Sequence, residues 1–74
     1  MKLQDFRKHR NMPFVRRGMR VIHTHNGKSG RIAGANSSAN LNVIFDGERK
    51  SVNCHPFFKM QYFDNGKLIK EYGA

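Results

Sequence analysis

Residues 18–47 read GMRVIHTHNGKSGRIAGANSSANLNVIFDG, and this stretch decides the fold. Short apolar runs at Met19 to Ile22, Arg31 to Ala33 and Leu41 to Phe45 alternate with clusters of Gly, Asn and Ser. Runs of that length bounded by turn residues read as strands. Leu41, Val43 and Phe45 alternate strictly with Asn40, Asn42, Ile44 and Asp46, the period of two expected when one face of a strand is buried. Met19, Val21 and His23 share one face of the first strand, with Arg20, Ile22 and Thr24 on the other. Gly27, Gly30, Gly34 and Gly47 fall at the breaks, where a small sheet must bend. His25 to Gly30 is expected as a turn presenting Lys28, with the second strand running over Arg31 to Gly34.

The segment 35–40 (ANSSAN) is a polar loop whose small side chains let backbone amides approach a ligand. Asp46-Gly47 and Asn65-Gly66 are strong hairpin-turn signals. Between them, Lys50 to Cys54 reads as a fourth strand with Val52 and Cys54 inward. His55-Pro56-Phe57-Phe58 reads as a single helical turn, because Pro56 cannot donate to a ladder. Met60 to Asp64 is a fifth strand, and Leu68 to Tyr72 adds a short last one. On the other side, Phe14 and Val15 cover one end of the core. Residues 1–13 form a basic N-terminal arm, either a short helix ended by Pro13 or disordered. Its cluster Arg7, Lys8, His9, Arg10 reads equally as a nucleic-acid-binding arm or as a solvated terminus. The expected organisation is therefore an arm over 1–13 and one β domain over 14–74.

Composition bounds the function. With 74 residues the chain makes one domain with one small core, and such a domain buries only about 60% of its unfolded surface. That leaves little room for a deep catalytic cavity. Fourteen Lys and Arg face five Asp and Glu, a net charge of +9. A surplus of this size is matched most often by nucleic acid, through phosphate contacts and counterion release. The single cysteine, Cys54, precludes an intrachain disulfide. The absence of a long apolar run points to a cytoplasmic chain with no membrane partner.

The chemistry-bearing residues argue against an enzyme. Cys54 and His55 are neighbours whose side chains diverge on a strand. No Ser-His-Asp set, paired carboxylates or phosphate-binding loop followed by a helix is present. His23, His25, Cys54 and His55 are metal-ligand types without metal-site spacing. Neither a metal nor any other cofactor is expected.

The order of the elements resembles that of an SH3-like barrel: five short strands, a longer second loop, a tight third turn and one helical turn before the fifth strand. The expected fold is all-β, a small five- to six-stranded SH3-like barrel carrying the basic arm. Gly18 to Gly34 also resembles the KOW motif of ribosomal large-subunit proteins and transcription elongation factors. The matching residues are Gly18, Val21, Gly27, Lys28, Gly30, Arg31 and Ile32, while His23 stands where the family has an aliphatic residue. This resemblance implies a barrel that binds RNA or a nucleoprotein through its turns.

The expected function is a non-enzymatic nucleic-acid-binding module, for RNA or nonspecific DNA. Its candidate binding residues are Arg16, Arg17, Arg20, Lys28, Arg31, Arg49 and Lys50. Arg20 and Arg31 are outward on neighbouring strands. Arg16 and Arg17, adjacent on an extended chain, would point to opposite faces, so only one would join a given patch. Arg49 and Lys50 lie further off on the Asp-Gly hairpin. Phe57, Phe58, Tyr62 and Phe63 are candidate stacking aromatics. The alternative is a protein-interaction module, such as a bacterial or phage regulator docking on an acidic partner, read from outward Ile22, Ile44 and Phe63. The sequence leaves the oligomeric state open.

Overall fold

The computed structural model describes residues 1–73; Ala74, the last residue of the expected β domain, lies outside the described residues. The elements are α1 (Leu3–Arg10), β1 (Arg20–His23), β2 (Lys28–Ala35), β3 (Leu41–Phe45), β4 (Val52–Cys54), β5 (Met60–Asp64) and β6 (Lys67–Tyr72). All six strands join one antiparallel sheet in the order β4-β3-β2-β1-β5-β6. The all-β expectation holds. The sheet is open: β4 and β6 are its edges, and the ladder supplies no closure into a barrel.

Local sequence explains most of this. β3 buries Leu41, Val43 and Phe45 and leaves Asn42 and Ile44 half-buried on the opposite face. The β5–β6 hairpin turns on Asn65 (φ 50°) and Gly66 (φ 77°). Two consecutive left-handed residues make the turn whose twist suits paired strands, which is why Asn-Gly serves there. β2 begins at Lys28 rather than Arg31, so the expected lysine-bearing turn is displaced toward Thr24–Gly27. Lys28 is already paired with His23 across the ladder. Val52 lies opposite Val43 but is 42% exposed, because β4 is an edge and no further strand covers it.

The core lies on one face of the sheet. Val21, Ile32, Leu41, Val43, Phe45, Cys54, Met60 and Tyr62 pack there with Phe6, Met12, Val15 and Met19 from the N-terminal segment. Tyr62 donates its hydroxyl to the Pro56 carbonyl at 2.6 Å. Burial pushes the phenol well above its ordinary range, so it remains a donor. Burial likewise pushes the Cys54 thiol up, which keeps it protonated and unreactive at neutral pH.

The N-terminal segment belongs to this core. Phe6 is fully buried on α1. The Arg7 Nε donates to the Val15 carbonyl, and the Arg10 Nε donates to the Ala39 carbonyl at 2.8 Å. Asp5 in the first turn and Arg7 to Arg10 in the last turn both suit the helix dipole. Asn11, left-handed at φ 55°, ends the helix two residues before Pro13. Two of the arm's cations thus clamp the chain to itself.

Candidate nucleic-acid interface

The face of the sheet opposite the core carries the candidate site. Arg20 stands directly opposite Arg31 on β2 and opposite Phe63 on β5; Arg31 stands opposite Ile44 on β3, and Phe63 opposite Leu68 on β6. Directly paired residues share a face. One row therefore crosses four strands as Phe63, Arg20, Arg31, Ile44, with Leu68 beside it where the β5–β6 register shifts between Tyr62 and Phe63. Neighbouring strands are about 4.8 Å apart, so the two arginines form one basic centre flanked by apolar side chains.

A cleft of about 350 Å³ opens at the start of β1, lined by Arg16, Arg17 and Arg20 with Phe63, Asp64, Asn65 and Gly66. Both Arg16 and Arg17 reach it, which corrects the expectation that only one could join a patch. The chain there is a turn and not a strand: the Met19 amide donates to the Arg16 carbonyl at 3.2 Å, and Gly18 is left-handed at φ 84°. Strand parity does not apply inside a turn.

Arg16 pairs with the Asp64 carboxylate. Arg17 donates from Nη1 to the Ala33 carbonyl at 2.5 Å. Arg20 makes a two-pronged contact with Asp46 at 3.0 and 2.7 Å. Arg31 is exposed and has no ion pair among the described residues. Lys28 lies three ladder positions from Arg31, with the opposite strand parity, and pairs with Glu48 at 3.5 Å. Arg49 and Lys50 are exposed on the β3–β4 connection, toward the Lys28 end of the sheet. The structure thus gathers Arg16, Arg17, Arg20 and Arg31, and leaves Lys28, Arg49 and Lys50 at the other end.

Three of these guanidiniums line the cleft and Arg31 stands beside Arg20, while two carboxylates pair with the group, Asp64 in the cleft and Asp46 outside it. The ion pairs are about half exposed, and pairs of this kind contribute only about 0–1 kcal/mol each. An incoming anion can displace the carboxylates, which meanwhile hold the guanidiniums in place. Each guanidinium has five donors, so one or two bonds leave donors to spare.

Among the candidate aromatics, Tyr62 is fully buried, Phe63 lines the cleft, and Phe57 and Phe58 are exposed elsewhere. Phe57 sits beneath the Arg10 guanidinium, 5.6 Å from ring centroid to Cζ. In the polar loop the amides of Asn36, Ser38, Ala39 and Asn40 are bonded within the loop itself. Asn36 Oδ1 accepts from the amides of Ser38 at 3.1 Å and Asn40 at 3.3 Å, and its Nδ2 donates to Asn42 and Asn53.

The far end of β1 holds a second cluster. The His23 ring packs against His25, Phe45 and Phe58 at centroid distances of 6.1, 6.4 and 6.0 Å, and its buried Nδ1 has no hydrogen-bond partner among the described residues. Burial lowers the His23 pKa below its ordinary value, and the nearby His25 and Lys59 act in the same direction. The unfolded imidazole takes up a proton near pH 6.5 while the folded one resists it. Stability is therefore expected to fall as pH drops below about 6.5 and to level off below the lowered folded value. Urea midpoints compared at pH 7.5 and pH 5 should show this loss, and His23→Gln should reduce it. A midpoint that does not change between these pH values would contradict the assignment.

Comparison with known proteins finds no family model, no curated protein and no solved structure that matches this chain.

Proposed function

We propose that this chain is a non-enzymatic nucleic-acid-binding module that takes RNA or nonspecific DNA on the outer face of its sheet. The observation that carries the reading is the convergence of Arg16, Arg17, Arg20 and Arg31 at one end of that face, on a chain of net charge +9. Guanidiniums bind phosphates through paired donors and stack on bases, so a cluster of them suits a polyanion. The KOW-like segment from Gly18 to Gly34 favours the same reading.

Fluorescence anisotropy with labelled RNA and DNA across a salt series tests it. Binding should weaken steeply with salt. Arg20→Ala combined with Arg31→Ala should weaken it about tenfold or more and reduce the log-log salt slope by roughly 1–2. Binding indifferent to salt and to both substitutions would remove the proposal.

A second reading has its own observation. Ile22, Ile44 and Phe63 are half-buried on the outer face beside Leu68, which is 45% exposed. A protein with an acidic surface could dock on that mixed face. A partner retained after nuclease treatment and lost in Ile44→Asp, with no oligonucleotide affinity, would favour it.

A further inference from the structure

We infer that the cleft at the start of β1 receives one unpaired nucleotide, its base on Phe63 and its phosphate among Arg16, Arg17 and Arg20, so that the module selects single strands over duplex. The inference rests on the nucleic-acid reading above and adds which form is bound.

The cleft is chemically divided. Arg16 to Arg20 supply one stretch of its lining and Phe63 to Gly66, at the end of β5, the other, with the Asp64 carboxylate of the second stretch paired to Arg16 of the first. A phosphate needs the donors and has no use for an aromatic ring. A base needs a flat apolar surface and an edge partner. Phe63 offers the surface, fixed on β5 between Arg20 and Leu68. The exposed Asn65 amide offers both a donor and an acceptor.

Size points the same way. About 350 Å³ lies at the small end of the roughly 300–1,000 Å³ typical of small-ligand sites, which suits one planar group and not the edge of a helix. In a duplex the bases are stacked and paired, so Phe63 would meet none. Splayed bases on aromatic side chains with basic residues along the backbone are how single strands are held.

The test compares single-stranded RNA and single-stranded DNA with a hairpin duplex of the same length by anisotropy, at two salt concentrations. Either single strand should bind about tenfold tighter than the duplex. Phe63→Leu should lower single-strand affinity about tenfold and leave duplex affinity unchanged. Phe63→Tyr, which keeps the ring, should bind as the parent does. Phe58→Leu, which alters an exposed ring at the far end of β1, should also have no effect. A 2-aminopurine placed in the strand should lose fluorescence on binding the unsubstituted protein, a readout that needs no variant to fold. Equal affinity for single strand and duplex, or an unquenched 2-aminopurine in a bound strand, overturns the inference and leaves nucleic-acid binding standing. Failure of every oligonucleotide to bind overturns both.

Discussion

Gly30→Ala is expected to abolish or nearly abolish the folded domain at 37 °C. Gly30 is buried in the middle of β2, opposite Val21 on one side and Phe45 on the other. A Cβ there would lie 2.6 Å from the Ile44 carbonyl oxygen and 2.9 Å from the Phe45 Cα. Both atoms belong to backbone in the paired β3 strand, so no side chain can swing aside. Glycine in a strand interior marks such a close approach of another chain segment. Relief requires β2 and β3 to part, at about 3 kcal/mol or more. In a domain of this size each kcal/mol shifts the melting temperature by about 4–8 °C. Gly34→Ala is the control: a Cβ there has nothing within 4 Å, and the change should move stability by no more than about 1 kcal/mol, upward if anything. Thermal melts of the two variants check this. Equal melting temperatures for Gly30→Ala and Gly34→Ala would contradict the packing described.

Phe6→Ala should cost about 3–5 kcal/mol, the usual range for emptying a buried phenylalanine site. An eight-residue helix has no stability of its own in water. What forms α1 is the burial of Phe6 beside Met12 and Val15, with Arg7 and Arg10 bonding carbonyls outside the helix. Losing the ring should release the helix and uncover part of the core, seen as a lower urea midpoint and a loss of amide protection over residues 3–10. If residues 1–13 were a frayed arm, Phe6→Ala would leave the midpoint where it was.

Several elements of this fold are written locally. The alternation in β3 and the Asn-Gly turn specify themselves within a few residues, because side-chain period and left-handed turn positions are short-range properties; Asp46-Gly47 turns the chain but closes no tight hairpin, since β4 resumes only at Val52 and not at Lys50. Arg20 and Arg31 are outward neighbours for the same reason. Other features depend on contacts distant in sequence. The cleft exists because β5 pairs with β1, bringing Phe63 to Gly66 against Arg16 and Arg17, and nothing near residue 16 announces residue 63. The turn at Arg16–Met19 broke the strand parity assumed for the two arginines. Asp46 and Asp64 sit on Arg20 and Arg16 only because the sheet folds that way. The burial of Phe6, which holds α1 in place, is likewise supplied by residues of other elements. Val52 shows the converse: its pattern suits a core face, but its strand ended up at the edge.

The most direct test of the clustered arginines is a two-dimensional amide NMR titration of the intact chain with a short single-stranded oligonucleotide at low salt. Shifts should concentrate at Arg16 to Arg20, Arg31 and Phe63 to Gly66, with α1 and the Phe57–Phe58 segment little changed. Shifts centred on α1 or on Phe57 and Phe58, with the cleft residues unmoved, would contradict it.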